Sequence, residues 1–479
     1  MLSREDVKIK IDTAETILKE CFGILIAFRH GRGDFDAVFF DFQPKLAECL
    51  YDLMQFYHEL QAEKKQLIKA KNTYDKNEFS ALMSRNASYL KVVSKTIEIG
   101  KSLGDAFAWF FFRNNRPELD KHFAHQSTGL YVSGIGGLGE LEFIKNTKSI
   151  GGLYVLYHGI TTMLRIGDFS LYAVDAGIVG VGELKTTKDG DKLTVTANIT
   201  AKTQVRVKPS ADITTDNDFE ASLRRLQKNF PSIRNQLDTH SELLKKEEPG
   251  KSDELYADYE YDLLDRLSPD NPMAINSDKS LLLLAQWSEY EDLFSILFEK
   301  EEAVIPPEDF RCKVENLKSD NCDLDEFIIG ELANHICMLN IPILWWDISE
   351  KMCNDIYFGK VKIATIFNPA KLLKYYIDDG FTVKARCELK KIEITKEIGK
   401  HRIGVGHFES ICYLITNALM KTEAVYAFAR KVTAAMESGE YKPNSKIYMH
   451  IHLNNFGKPE LINLFKNIYP LYSIFDFTS

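Results

Sequence analysis

The sequence predicts a mixed α/β protein built from more than one domain, and three observations carry this. Residues 1–115 place apolar side chains at helical spacing. Residues 153–208 hold short apolar or alternating segments of strand length. Beyond 366 both patterns return together. A chain of 479 residues exceeds one ordinary core, so two or three domains are expected. The 45% hydrophobic and 27% charged composition is that of soluble globular proteins. No apolar run reaches the roughly 18 residues of a membrane helix, and MLSREDVKIK lacks the apolar core of a signal peptide. The expectation is a cytoplasmic protein with no membrane partner.

The first 115 residues are expected to form a helical module, with KIDTAETILKECFGILIAF, KLAECLYDLMQFYHELQAEKKQLIKA and SALMSRNASYLKVVSKTIEIGKSL as its helices. These helices could pack only internally or join two copies of the chain into a homo-oligomer. Residues 116–366 form the second expected domain. It begins with a helix at LGELEFIKNTK, followed by extended segments GGLYVLYHGITTML, DFSLYAVD and IVGVGELKTT. The Asp-Gly of KDGDK signals a turn into LTVTANITAKTQVRV. A long polar helix is expected over 217–247, kinked or split at Pro231. Residues 241–270 hold ten acidic and four basic side chains, net −6, and read as a solvated connector. SLLLLAQW (280–287) and IPILWWDI (341–348) read as buried strands, the second expected to complete the sheet begun at 153. Residues 367–479 are expected to form an α+β extension, with a helix at 368–378, strands in FTVKARCELKKIEIT and helices in 407–437.

Eight cysteines (21, 49, 312, 322, 337, 353, 387 and 412) form no CxxC pair, so they are read as reduced thiols, mostly buried. The net charge of −9 argues against a chain that coats nucleic acid indiscriminately, yet leaves room for a local basic groove.

The chemistry concentrates in RIGDFSLYAVDAGIVGVGELKTT, residues 165–187. If 168–174 and 178–185 pair as antiparallel strands about a turn at Asp175–Gly177, Asp168 falls opposite 183–185, at a Cβ separation of roughly 5 Å. Glu183 and Lys185, two apart, share a face. Two carboxylates that close repel unless a proton or a cation lies between them. Hard oxygen ligands with open positions suit Mg²⁺ or Mn²⁺. Asp175 would sit in the turn, roughly 17 Å along the ladder, and is excluded. A second Glu-x-Lys, Glu388 and Lys390, follows Asp378 and Asp379 with no hairpin to unite them, and is treated as chance.

Asp168, Glu183 and Lys185 in this arrangement resemble the PD-(D/E)XK nuclease superfamily, whose restriction-endonuclease-like fold has a central mixed sheet flanked by helices. Gly167 stands where the family usually has proline. The resemblance covers roughly 128–350. It implies a metal-dependent endonuclease hydrolysing phosphodiester bonds, with DNA the expected substrate and RNA left open, and with Asp168, Glu183 and the Leu184 carbonyl on Mg²⁺ (or Mn²⁺). It further implies that Lys185 orients the attacking water or stabilises the transition state. A glutamate on the preceding helix, Glu140 or else Glu142, would complete the metal shell, and a glutamine on the following helix, Gln227 with Gln236 in reserve, would complete the site. Large nuclease chains of this composition resemble bacterial anti-phage defence effectors. Residues 185–208 carry six basic and two acidic side chains, net +4. Lys188, Lys192, Arg224, Arg225 and Lys228 are therefore candidate phosphate contacts. The alternative is a non-catalytic nucleic-acid-binding or assembly protein on a degenerate nuclease fold.

Other motifs compete with this hairpin. Gly134, Gly136 and Gly139 match G-x-G-x-x-G, but no acid stands between Glu142 and Asp168, where a dinucleotide site needs one. The glycines are then read as a flexible approach to the helix bearing Glu140. His450 with His452, and His122 with His125, lack a third ligand and are read as core or surface histidines. Trp345–Trp346 is read as strand packing, and His158 is given no role although its strand should neighbour that of Asp168.

Overall fold

The computed structural model describes residues 2–32, 35–112, 119, 122, 134–173, 177–190, 192–201, 212–214, 259–299, 309–317, 327–332, 341–386, 388–399, 401–405, 408–439, 449–450, 462–463 and 473–478. Ser3 opens the first helix as part of a capping box. Its Oγ accepts the Asp6 N–H at 3.1 Å, and the Asp6 carboxylate accepts the Ser3 N–H at 2.8 Å, so two donors that the helix leaves orphaned are satisfied. Helix α1 (Arg4–Arg29) buries Val7, Ile11, Leu18 and Leu25 on one stripe. A short α2 (Phe35–Ala37) runs through a π-turn (Val38–Phe42) into α3 (Gln43–Lys69), and α4 (Lys76–Phe112) returns alongside it. The last fourteen residues of α4, Ile99 to Phe112, are buried on every side, as befits a helix end driven into the core.

Helix α5 (Ile135–Asn146) leads into the first sheet: β1 (Ser149–Ile150), β2 (Leu153–Tyr157), β3 (Phe169–Ala173), β4 (Gly177–Asp189), β5 (Lys192–Ala201) and β6 (Asp212–Thr214), paired in chain order. Every pairing is antiparallel. This corrects the expected mixed sheet: each strand pairs antiparallel with its neighbour in sequence, and at most eleven residues separate consecutive strands, fewer than the dozen or so that a parallel crossover needs. A parallel partner needs a crossover, and the expected helix at 217–247 lies outside the described residues. Helices cover both faces. Phe143 of α5 meets Phe169 at 5.3 Å between ring centroids, while Phe111 of α4 meets Tyr172 at 5.0 Å on the opposite face. The free edge of β2 is closed by a side chain: the Gln43 amide donates to the Val155 carbonyl at 2.9 Å and accepts the Tyr157 N–H at 2.9 Å.

A second antiparallel sheet has the order β7 (Met273–Ile275), β8 (Leu281–Trp287), β10 (Val361–Phe367), β9 (Ile328–Leu332). The short helix α6 (Asp262–Asp265) precedes β7, and α7 (Leu293–Phe298), α8 (Phe310–Glu315) and α9 (Glu350–Tyr357) lie in the connections between β8 and β10. The strand expected at 280–287 is present, but the one expected at 341–348 is not. Ile343–Trp345 is a single 3₁₀ turn and does not extend the first sheet, and β8 pairs with Val361–Phe367. A short apolar run does not distinguish a buried strand from a buried turn. Here the indoles decide: Trp345 Nε1 donates to the Ala106 carbonyl of α4 at 2.8 Å and Trp346 Nε1 to the Ile341 carbonyl at 2.6 Å. The chain continues through α10 (Ala370–Asp378), β11 (Thr382–Arg386), β12 (Glu388–Ile398), β13 (His401–Val405), α11 (Phe408–Ala418) and α12 (Thr422–Glu437). The strands β14 (Met449–His450), β15 (Ile462–Asn463) and β16 (Ser473–Thr478) join β11–β13 in a third antiparallel sheet. One hydrophobic cluster runs from Val7 through Phe107, Phe169 and Leu283 to Val405, so the helical bundle and all three sheets share it. Cys21, Cys49, Cys353 and Cys412 are buried free thiols and Cys312 is exposed; cysteines 322, 337 and 387 lie outside the described residues.

Candidate active site

The β3–β4 hairpin forms as its alternation predicts. Phe169 pairs with Gly182, Ser170 with Val181 and Leu171 with Gly180, before a one-residue shift near the turn. Just before β3, the Asp168 N–H donates at 2.8 Å to the carbonyl of Gly182, the residue that already pairs with Phe169. Asp168 is thus set beside the Gly182–Leu184 stretch that carries Glu183. Its Oδ2 accepts the Leu184 N–H at 2.5 Å, which fixes the carboxylate against the strand that carries the other site residues. Burial and the neighbouring Glu183 charge push the Asp168 carboxyl up, against the pull of that N–H. Glu183 and Lys185 are both exposed on β4 and share one face, opposite Asn198 and Thr196 of β5.

Gly167 is not a relaxed stand-in for proline. It adopts φ +70°, and a Cβ there would lie 2.7 Å from the Gly182 carbonyl oxygen and 2.7 Å from Val181 Cγ1. Proline, locked near −65°, does not reach this conformation, so the departure from the family pattern is built into the backbone that delivers Asp168.

That backbone is held from below by buried polar groups. His158 Nδ1 donates to the Gly167 carbonyl at 3.0 Å, which leaves Nε2 to accept from Ser170 Oγ at 2.8 Å. Burial drives its pKa down to about 3, so the ring is neutral and acts as a strut rather than a proton carrier. His122 packs edge-on against it, 5.2 Å between ring centroids, and its Nδ1 accepts the Arg165 and Ile166 N–H groups at 3.0 and 3.1 Å. From α4, Asp105 accepts the Thr162 N–H at 2.7 Å, the Met163 N–H at 2.9 Å and the Thr162 hydroxyl at 2.5 Å. The segment from Ile160 to Gly167 is therefore fastened by side chains remote in sequence.

Glu140 arrives from the other side of the sheet. Gly139 lets α5 touch β4: a Cβ there would fall 2.0 Å from Thr186 Oγ1. This gives the third glycine of the rival dinucleotide pattern a packing role. Thr186 alternates with Lys185 and faces away from it, so α5 lies on the face opposite Glu183 and Lys185. Glu140 Oε2 accepts the Tyr157 hydroxyl at 3.1 Å, and burial together with the Asp168 charge raises its pKa to about 7. Lys101 of α4 is 7% exposed; its Nζ donates to the Thr161 carbonyl at 3.4 Å. Burial pulls its pKa down, while the charges of Asp105 and Glu140 push it up. Glu142 lies on the same helix and accepts from Asn146 instead.

The structure therefore brings Asp168 into electrostatic contact with Glu183 on one side and with Glu140 on the other. Among the described residues no cluster of three or more His, Cys, Asp or Glu side chains could hold a metal ion unaided. Two adjacent carboxylates nonetheless fit Mg²⁺, which is commonly held by one or two carboxylates, waters and substrate phosphate. The Leu184 N–H is turned to the β3 side, and both backbone groups of a residue in an antiparallel ladder face the same neighbour. Its carbonyl is accordingly available beside Asp168. Lys188 is exposed near the tip of the β4–β5 hairpin, and Lys192 lies in β5 opposite Asp189. Gln227, Gln236, Arg224, Arg225 and Lys228 lie outside the described residues, as do His125 and His452. Sequence reasoning missed Lys101, Asp105 and Tyr157. One signal was present: IGKSLGDAFAWFFF sets two charges in an otherwise apolar helix end, a placement that demands buried partners. In comparisons with protein family models, curated proteins and solved structures, nothing matches the chain.

Proposed function

We propose that this chain is a metal-dependent nuclease that hydrolyses phosphodiester bonds, with DNA as its substrate, on a restriction-endonuclease-like core. The observation that carries the reading is the hairpin end at which Asp168 is fastened to the Gly182 and Leu184 backbone on either side of Glu183, while Lys185 shares the face of Glu183. Asp168, Glu183 and the Leu184 carbonyl would hold a divalent ion, Mg²⁺ or Mn²⁺. Bound there, the ion would lower the pKa of a coordinated water and neutralise charge on the phosphate. The Leu184 N–H fixes the orientation of the Asp168 carboxylate. The exposed Lys185 ammonium, two residues beyond Glu183, stands where it can donate to a non-bridging phosphate oxygen and offset the charge that builds there. Lys188 and Lys192, farther along the hairpin, extend positive charge along a backbone.

The test is cleavage of supercoiled and linear DNA with Mg²⁺ or with EDTA, comparing wild type with Glu183→Ala and Lys185→Ala. Cleavage should require the metal and fall at least about 100-fold in each variant. Equal activity in all samples would discard the nuclease and leave a nucleic-acid-binding or assembly protein.

A further inference from the structure

A second concentration of charge lies far from the β3–β4 hairpin, at the turn between α3 and α4. Residues 64–76, KKQLIKAKNTYDK, hold five lysines and one acid, net +4, in a chain whose net charge is −9. Helix α1 starts level with Glu63, whose carboxylate accepts the Leu2 N–H at 3.4 Å. Beyond that level, Leu67 alone among residues 64–85 is buried, so the tip of the α3–α4 hairpin stands out from the shared core. The tip is nonetheless fixed. Just below it the Asn86 amide donates to the Leu60 carbonyl at 3.1 Å and joins the two helices. Lys71–Thr73 is one 3₁₀ turn, closed by the Thr73 hydroxyl on the Ala70 carbonyl at 2.6 Å. Asp75, the one acid of the stretch, caps α4: its Oδ1 accepts the Asn77 and Glu78 N–H groups, each at 2.8 Å.

The lysines of the tip are also uncompensated. Lys8, Lys19, Lys45, Lys145, Lys360 and Lys374 each sit against a carboxylate. At the tip Lys71 lies over the Phe79 ring, 5.9 Å from its centroid. Among the described residues none of Lys64, Lys65, Lys69, Lys71 and Lys76 has an ion-pair partner, and all but Lys64 are exposed. Ile68 is the large apolar side chain exposed beside them. One isoleucine among five lysines does not supply the continuous apolar face of a membrane-surface helix. Ammonium groups on a rigid support match instead the regularly spaced phosphates of a nucleic-acid backbone. The reach fits as well. Helix α4 runs from Lys76 to Lys101, whose Nζ donates to the Thr161 carbonyl, and α3 runs from Lys69 back to Gln43, which bonds the edge of β2. At about 1.5 Å per residue, both paths measure on the order of 38 Å, about one helical turn of B-DNA.

We infer that the α3–α4 tip is a second contact for duplex DNA, in which Lys65, Lys69, Lys71 and Lys76 bind backbone phosphates about one helical turn away from the sheet that carries Asp168 and Glu183. The contact is independent of base sequence and sets affinity rather than the bond that is cut. The inference rests on DNA as the partner in the nuclease reading, but its own measurement needs no cleavage.

The experiment measures binding of the full chain to a fluorescein-labelled duplex of about three helical turns, in EDTA, by fluorescence anisotropy over a range of salt. Folding of each variant is checked by thermal melting; glutamine is a good helix former, so exposed Lys→Gln changes spare the helices. The triple variant Lys65→Gln, Lys69→Gln, Lys76→Gln should bind at least about tenfold more weakly at about 0.1 M salt, and its plot of log K against log salt should be shallower by about 2–3, as the loss of three phosphate contacts requires. A control triple variant, Lys91→Gln, Lys351→Gln, Lys374→Gln, removes the same charge from exposed lysines elsewhere and should stay within about threefold of wild type. Equal binding by wild type and the tip variant would overturn the proposal. So would an equal loss in the control, which would trace binding to net charge, or a wild type that binds phosphatidylserine vesicles through the tip and not DNA. A wild type that binds no DNA would overturn it whatever the variants do. Binding through the tip with no cleavage in any sample would support it and defeat only the nuclease reading.

Discussion

Replacing Gly167 tests the geometry on which the site depends. At φ +70° any residue with a Cβ incurs about 1–2 kcal/mol of local strain. The added Cβ would also meet the Gly182 carbonyl and Val181 Cγ1 at 2.7 Å each. One of these is backbone of the paired strand, so the β3–β4 junction must yield, at a further 1–3 kcal/mol or so. Gly167→Ala should therefore destabilise by about 2–5 kcal/mol, read as a lower urea midpoint at unchanged slope. Gly167→Pro should do worse, because φ must swing by about 135° to reach the proline value. The residue after Gly167 is Asp168, so Mn²⁺ affinity should fall with stability in both variants. Gly167→Ala within about 0.5 kcal/mol of wild type, or a folded Gly167→Pro that binds Mn²⁺ normally, would refute the loop geometry. The latter result would also show that the proline of the resembled family fits here after all.

Two further outcomes are expected. Asp105→Ala strands the Thr162 N–H, the Met163 N–H and the Thr162 hydroxyl; thermal or urea unfolding should show a loss of about 2–4 kcal/mol, and an unchanged stability would remove α4 as the anchor of that segment. Glu260, buried against the Asn276 amide at 3.0 Å, has its pKa raised by burial to about 7. A carboxyl raised above its unfolded value keeps its proton longer in the native state, so its contribution to stability falls as pH rises from about 4.5 to 7. Glu260→Gln should abolish that part of the pH dependence and be more stable than wild type at pH 8, by an amount on the order of 2–3 kcal/mol, yet gain little at pH 4. Parallel stability curves for the two proteins between pH 4 and 8 would count against it.

The helices of 1–112, the β3–β4 and β4–β5 hairpins and the placement of Asp168 beside Glu183 were legible because each depends on periodicity or on a turn only a few residues long. Ile343–Trp345 was misread as a strand because an apolar run reports burial, not backbone conformation; the indole partners that fold it into a turn come from Ala106, 239 residues away, and from Ile341. The expected mixed sheet failed among the described residues for a related reason. Strand segments are visible one at a time, but their direction relative to a partner depends on the connection, and in the first sheet at most eleven residues join consecutive strands, too few for a parallel crossover.

The amino-acid sequence by itself determined which side chains alternate along β4, hence that Glu183 and Lys185 share a face and that Asp168 meets them across one turn. Such facts are local, set by the two-residue repeat of a strand. Only the tertiary structure decided that Glu140 approaches from the opposite face, that Gly167 must hold a positive φ, and that Lys101 and Asp105 of a distant helix engage the segment leading to Asp168. Those depend on burial. A charged group enclosed by a core must find partners wherever packing places them, and the separation of 60 positions from Lys101 to Thr161 leaves no periodic trace of that pairing.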